Sequence, residues 1–252
     1  MKHALLPILL SLVLVPAAAR QARAQTPDEV IEKHIAAVGG RAALSKITSR
    51  RSTGTMTIAS PQGDLTGPVE FDAKPRNKSR VYIEFDLTSV GAPPGTPKLV
   101  IEQKFDGTTG VSLNSMNGDV EVSGNQLDNM RNNIFPTSLL TYKEQGYKME
   151  LLPKEQVKGK DAFVIRATPK AGSVTKLYFD AVSYMLVKTA ATINIPAMGG
   201  DIEQVSEQSD FRKVDGLTLP FLIVRTDPAQ TATIKMTKIE HNVALDDKMF
   251  SK

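Results

Sequence analysis

Gly67-Pro68-Val69-Glu70-Phe71-Asp72-Ala73 and, six residues later, Arg80-Val81-Tyr82-Ile83-Glu84-Phe85-Asp86-Leu87 decide the fold of this 252-residue chain. Val69, Phe71 and Ala73 alternate with polar neighbours, and so do Val81, Ile83 and Phe85. A period of two is the mark of a strand with one face in a core and the other in water. Outward from this pair the same pattern recurs. Ser52–Ala59 precedes it, and Lys98–Phe105 and Thr109–Leu113 follow around the tight-turn pair Asp106-Gly107. Asn117-Gly118 predicts a type I′ hairpin joining Val111–Ser115 to Asp119–Ser123.

Six further strands are predicted at Asp161–Thr168, Thr175–Asp180, Met185–Ile193, Gly200–Arg212, Leu217–Asp227 and Thr231–Asn242, with Asp215-Gly216 as another hairpin turn. About ten antiparallel strands of this length curl into a barrel or half-barrel, which limits their exposed edges. The class is therefore mainly β with a minor helical part. One helix opens it. Thr26-Pro27-Asp28-Glu29 reads as a capping box with proline at the first helical position, and Val30, Ile31, His34, Ile35 and Val38 form an apolar stripe that stops at Gly39-Gly40. Arg41 to Ile47 reads as a short second helical turn. The β pattern breaks from Asn125 to Tyr147, which reads as a helical insertion interrupted at Pro136. Its Met130, Ile134, Phe135, Leu139 and Leu140 would lie over the sheet as a cover. The tail around Leu245–Phe250 reads as a final turn that docks Phe250.

The first 24 residues read as an export signal: Met1-Lys2-His3, an apolar run from Ala4 to Val15, and the small-x-small pattern Ala22-Arg23-Ala24. The run is too short to span a bilayer, which takes about 20 residues. The expectation is a soluble periplasmic protein in which residues 25–252 form one domain, working as a monomer. The chain has no Cys, so no lipid anchor of the bacterial lipoprotein type and no thiol chemistry are expected. Its formal charge of +4 includes Lys2, Arg20 and Arg23 of the signal and none of its acidic residues, leaving +1 for the rest. That balance gives no reason to expect nucleic acid.

No catalytic, phosphate-binding or metal motif is present, so neither a catalytic site, a metal nor a cofactor is expected. His34 reads as a packed core residue and His241 as a surface one. What remains is the apolar inner face of the sheet: Val69, Phe71, Val81, Ile83, Phe85, Leu99, Ile101, Phe163, Ile165, Leu177, Phe179, Phe221 and Ile223, continued by Leu186, Ile234 and Met236. Packed core and cavity lining use the same residues, so periodicity leaves open whether this face is filled or hollow.

Several segments carry a resemblance in a fixed order along the chain. They are Ala37-Val38-Gly39-Gly40-Arg41-Ala42-Ala43-Leu44, Phe105-Asp106-Gly107-Thr108-Thr109-Gly110, Val157–Ile165, Leu177-Tyr178-Phe179-Asp180 and Val214-Asp215-Gly216-Leu217-Thr218-Leu219-Pro220. With the export signal, they make the chain resemble the LolA/LolB-like outer-membrane lipoprotein-sorting superfamily. The resemblance implies an unclosed antiparallel β-barrel whose open side is covered by the N-terminal helix and the helical insertion. It also implies a hydrophobic cavity for lipid or lipoprotein acyl chains, with envelope membrane proteins as further partners. Arg50, Arg51 and Arg80 are the candidates for the strand arginine of the family's carriers.

Three functions follow. A carrier of lipid, lipoprotein acyl chains or another hydrophobic ligand predicts co-purifying acyl species and a cover looser than the sheet. A non-catalytic envelope scaffold on the same fold predicts a filled core and an apolar patch on the outer face. An enzyme predicts a pocket of convergent polar groups with perturbed pKa.

Overall fold

The computed structural model describes residues 25–59, 63–195 and 200–252; the predicted signal segment lies outside them. Helix α1 (Pro27–Val38) starts as its sequence dictates. The Thr26 hydroxyl accepts from the Glu29 N–H at 3.2 Å, and the Glu29 carboxylate accepts from the Thr26 N–H at 2.9 Å. Gly39 ends it at φ 133°, where a Cβ would stand 2.6 Å from the Gly216 carbonyl oxygen. The glycine thus both stops the helix and lets it close on the sheet. A one-turn helix α2 (Arg41–Leu44) follows.

Thirteen strands come next: β1 (Arg50–Ala59), β2 (Leu65–Lys74), β3 (Lys78–Phe85), β4 (Leu99–Phe105), β5 (Gly110–Asn114) and β6 (Val120–Val122), then helix α3 (Gly124–Asn132), then β7 (Lys148–Val157), β8 (Lys160–Thr168), β9 (Thr175–Asp180), β10 (Leu186–Ile195), β11 (Gly200–Val214), β12 (Leu217–Thr226) and β13 (Thr231–His241). They form one antiparallel sheet in the order β6-β5-β4-β3-β2-β1-β13-β12-β11-β10-β9-β8-β7. The two end strands do not pair with each other, so the barrel is unclosed.

Hairpin chemistry is visible where the strands are shortest-linked. Asp215-Gly216, with φ of 50° and 81°, and Lys158-Gly159, with 50° and 77°, have the two positive φ values of a type I′ turn. Asn117-Gly118 does not. Only Gly118 takes a positive φ (82°), and the Asn114 carboxamide accepts from the N–H groups of Met116 and Asn117. The side chain caps a longer loop, and β5 pairs with β6 only from Ser112↔Val120 outward.

Strand β7 was not among the predicted strands. Pro153 and the polar run Lys154-Glu155-Gln156 hide its alternation, and both are tolerated because β7 is an edge strand with an irregular register between Leu152 and Glu155. The insertion is only partly helical: α3 covers Gly124–Asn132, and a 3-10 turn at Ser138–Leu140 is the sole regular element between it and β7. The tail forms a 3-10 turn at Asp247–Phe250 and buries Phe250 to 1% exposure.

Candidate ligand trough

Register assigns every strand side chain to a face. On the inner, concave face Met56 lies beside Gly67 and Ile234, Val69 opposite Ile83, Phe71 opposite Val81, Ile83 opposite Ile101, and Phe85 opposite Leu99. Phe163 and Phe179 pair there at the far end, as do Ile165 and Leu177. The sequence-predicted lining residues therefore share a face, but they do not make one cluster.

Phe163, Ile165 and Phe179 pack with Val30, Ile31 and Ile35 of α1, Leu44, Leu139, Leu217 and Leu219, with Leu177 and Leu186 against them. This half of the concave face is filled. Within it His34 is buried, its Nδ1 lies 2.9 Å from the Tyr184 carbonyl oxygen and its ring centroid lies 5.0 Å from that of Phe179. Burial holds its pKa below the ordinary value despite that hydrogen bond. Phe135 and Leu140 of the predicted cover pack into the same half.

The second cluster is different. Met56, Val69, Phe85 and Ile234 are buried, with Ile58, Leu65, Phe71, Ile83, Leu99, Ile223 and Met236 partly buried around them. Every member is a strand residue, and no helix contributes a side chain to it. Ile101 and Val81 are half-buried on the same face, and Phe221 is buried under the Arg212 guanidinium, 4.5 Å from its ring centroid. Met56, Ile58 and Leu65 were missed from the sequence although they carry the same alternation, because Gly54 and the intervening turn break the run.

Helix α3 spans the gap between the sheet's ends. The Asn77 carboxamide donates to the Met130 and Arg131 carbonyls at the C-terminus of the helix, the first of which also accepts from the Asn133 N–H. Arg131 donates to the Thr108 carbonyl. From the other side Asn132 donates to the Ala171 carbonyl, and Asn129 exchanges hydrogen bonds with Ser173. Met130 rests at Gly110, where a Cβ would stand 2.8 Å from its sulfur. Ile134 is half-buried just beyond the helix.

The three candidate arginines separate by parity. Arg51 and Arg80 point to the outer face and enclose the fully buried Asp72 carboxylate, with Arg51 Nε 2.7 Å and Arg80 Nη1 3.1 Å from its oxygens; Glu70 and Glu102 complete the network. Arg50 faces inward. Its guanidinium carbon lies 5.8 Å from the centroid of the Phe135 ring, and among the described residues no carboxylate or carbonyl accepts a hydrogen bond from it. It stands between two cavities. One of about 130 Å³ is lined by His34, Leu44, Ile47, Leu217 and His241 among others. The other, about 310 Å³ beneath α3, is lined by Phe71, Val81, Gln103, Gln126, Asn129, Met130 and Asn133 among others. His241, read from sequence as a surface residue, has a side chain only 2% exposed and bonds Asp215 at 3.0 Å. It pairs with Arg50 across β1 and β13, a position the sequence alone does not place on the inner face.

The site therefore offers apolar contact and, in Arg50, a cation with no hydrogen-bond acceptor among the described residues. No group of three or more His, Cys, Asp or Glu among the described residues could hold a metal, and no helix among them is long and apolar enough to cross a membrane.

No family sequence profile and no curated protein sequence matches the chain. Solved structures do. A LolA superfamily protein from Nitrosomonas europaea is similar at a TM-score of 0.57 and 16% identity, covering 91% of this chain and 99% of its own. An outer membrane lipoprotein-sorting protein domain from Vibrio parahaemolyticus gives 0.54 and 12%, covering 89% and 97%. A DUF1329 family protein from Desulfovibrio piger gives 0.57 and 14%, covering 88% and 95%. The fold is LolA-like, an unclosed half-barrel with a few helices.

Proposed function

We propose that this chain is an exported periplasmic carrier that holds the acyl chain of a lipid, a lipoprotein or a related hydrophobic ligand in the open half of its concave face. One observation carries the reading. The apolar cluster around Met56, Val69, Phe85 and Ile234 consists of strand residues alone, while the matching cluster across the sheet is sealed by α1. The central residues of the strand-only cluster are buried among neighbouring strand side chains. The half-buried ones around them (Ile58, Phe71, Ile83, Leu99, Ile223 and Met236) leave apolar surface in water at about 25 cal/mol per Å², which an acyl chain would recover. The export signal read at residues 1–24 and the LolA-like fold point the same way. Lipid, and not nucleic acid or a metal, is the partner that this surface chemistry fits.

A second reading has its own support. The outer face carries a groove of about 940 Å³ between the β7–β8 turn, the β9–β10 loop and β11, with Val182 89% exposed at its rim. A scaffold would use such a surface to engage a partner protein.

Native mass spectrometry of the protein purified from periplasm, followed by solvent extraction and lipid analysis, separates the two. Stoichiometric acyl species would support the carrier. A clean unliganded mass, with no uptake of an apolar fluorescent probe, would sink it and leave the scaffold.

A further inference from the structure

The charged side chains of the sheet are sorted by face. Glu70, Asp72, Glu84 and Glu102 of β2–β4 lie on the outer face by register, as do Glu150, Glu203, Glu207 and Glu240. The inner face holds Arg212, which pairs with Asp210 over Phe221, and two further arginines, Arg50 at one end of the trough and Arg225 at the other, in line with Ile223 on β12. From Ala232, opposite Arg225, to His241, opposite Arg50, β13 runs nine residues, about 30 Å at the usual rise. Arg225 is exposed, its side chain has no hydrogen bond among the described residues, and it has the Asp227 carboxylate as a charged neighbour.

Arg50 is the more telling of the two. Arg50 is half-buried, and a cation drawn into protein is ordinarily paired, because it otherwise loses hydration without compensation. Burial draws its guanidinium below its ordinary pKa, with no carboxylate to offset it. The cavity beneath α3 that it enters is lined by the amides of Gln103, Gln126, Asn129 and Asn133, and by Ser79. Asp72 and Arg80 also border that cavity, but their charged groups point to the outer face, where Arg51 and Arg80 engage both Asp72 oxygens. The cavity opens along Phe71 and Val81, residues of the trough's own apolar face.

We infer that the cavity beneath α3 is an oxyanion subsite in which Arg50 and the surrounding amides bind the anionic head group, carboxylate or phosphate, of an amphiphile whose acyl chain lies along the trough. This rests on the carrier reading and names its cargo class. The fork of a guanidinium fits both head groups, and neutral amides add donors without competing charge.

The test is displacement of an apolar fluorophore from the purified protein by four single-chain ligands: oleate, oleoyl lysophosphatidate, oleyl alcohol and monooleoylglycerol. The anionic pair is expected to bind at least about tenfold tighter than the neutral pair, the scale of a charge-assisted hydrogen bond. Arg50→Gln should erase that preference while leaving the neutral ligands unchanged, and Arg50→Lys should keep most of it. Arg50→Gln should also raise the urea midpoint of the unliganded protein, which a structural arginine would not do. A stronger response to oleate or to lysophosphatidate identifies the carboxylate or the phosphate as the natural head group. Equal binding of charged and neutral ligands overturns the subsite and leaves the carrier standing. An Arg50→Gln variant that weakens all four alike also overturns it. If none of the four displaces the probe, the carrier reading falls with it.

Discussion

The two halves of the concave face are built from the same residue types and are covered in different ways. On β8, β9 and β12 the apolar side chains are sealed by α1 and the Ser138–Leu140 turn, down to 0% exposure at Ile165 and Phe179. On β1–β4 and β13 an equally apolar set is built from strand residues alone: Phe85 and Ile234 are as buried, but Ile58, Ile83, Leu99 and Met236 stay half-buried, and α3 lies near Phe71 and Val81. The difference lies in where the capped helix lands. Gly39 brings the end of α1 against Leu217, and a helix of twelve residues covers only one side of a curved thirteen-stranded sheet.

Large-to-small substitution gives the sharpest contrast. Phe179→Ala is expected to cost about 3–5 kcal/mol in urea unfolding, because its cavity is walled on all sides. Ile83→Ala should cost about 1 kcal/mol, since much of its surface already faces the trough. Equal costs would mean that something covers the open half in solution, and the comparison would break.

Next in size is the strap between the two ends of the sheet. Gly172 has φ 95°, and a Cβ there would lie 2.7 Å from the Asn132 amide nitrogen and 2.8 Å from the Asn129 amide oxygen. Gly172→Ala should destabilise by about 1–3 kcal/mol and lower hydrogen-exchange protection in α3 while leaving α1 unchanged. Protection lost equally in both would show that the two covers open as one unit.

Removing the helix cap acts on the filled half alone. Thr26→Ala should cost about 1 kcal/mol, read in the same urea experiment, and should leave binding of an apolar probe in the open half unaltered.

The smallest effect is a slope with pH. His34 is held neutral by burial, its pKa below the ordinary 6.5. Its contribution is therefore complete above 6.5 and declines as pH falls below that, because the unfolded chain takes up the proton first. Stability should drop from pH 7 to pH 5, and His34→Gln should flatten the curve. A wild-type profile that is flat over that range would place His34 in contact with water.

How far the sequence reached can be judged at particular positions. Val69, Phe71, Ile83 and Phe85 declared their common face through strict alternation, and the capping box at Thr26 marked α1 to the residue. Arg50 and Arg51 show where such reading stops. They are neighbours, so they face opposite sides of the sheet; which side is which depends on the pairing of β1 with β13, a contact between the two ends of the chain. Arg225 was overlooked for the converse reason: its parity with Ile223 was legible, but an arginine near a strand end reads as a solvated tip. Which half α1 would cover was not legible, because the volume above a sheet is set by helix placement and not by strand composition.

The pairing of β1 with β13 has a consequence for how the chain comes to work at all. Every other neighbouring pair in the sheet is consecutive in sequence, so β1–β6 and β7–β13 are two meanders assembled from local hairpins. Local contacts form early and distant ones late, since a long loop must close before its contacts can repay the lost entropy. The seam that unites the meanders joins residue 50 to residue 241, and it forms the floor of the trough, where Met56 meets Ile234. If the chain carries the ligand proposed above, its competence to do so arrives with the slowest step of folding. A chain whose β13 has not yet formed has two separate meanders and no seam between them.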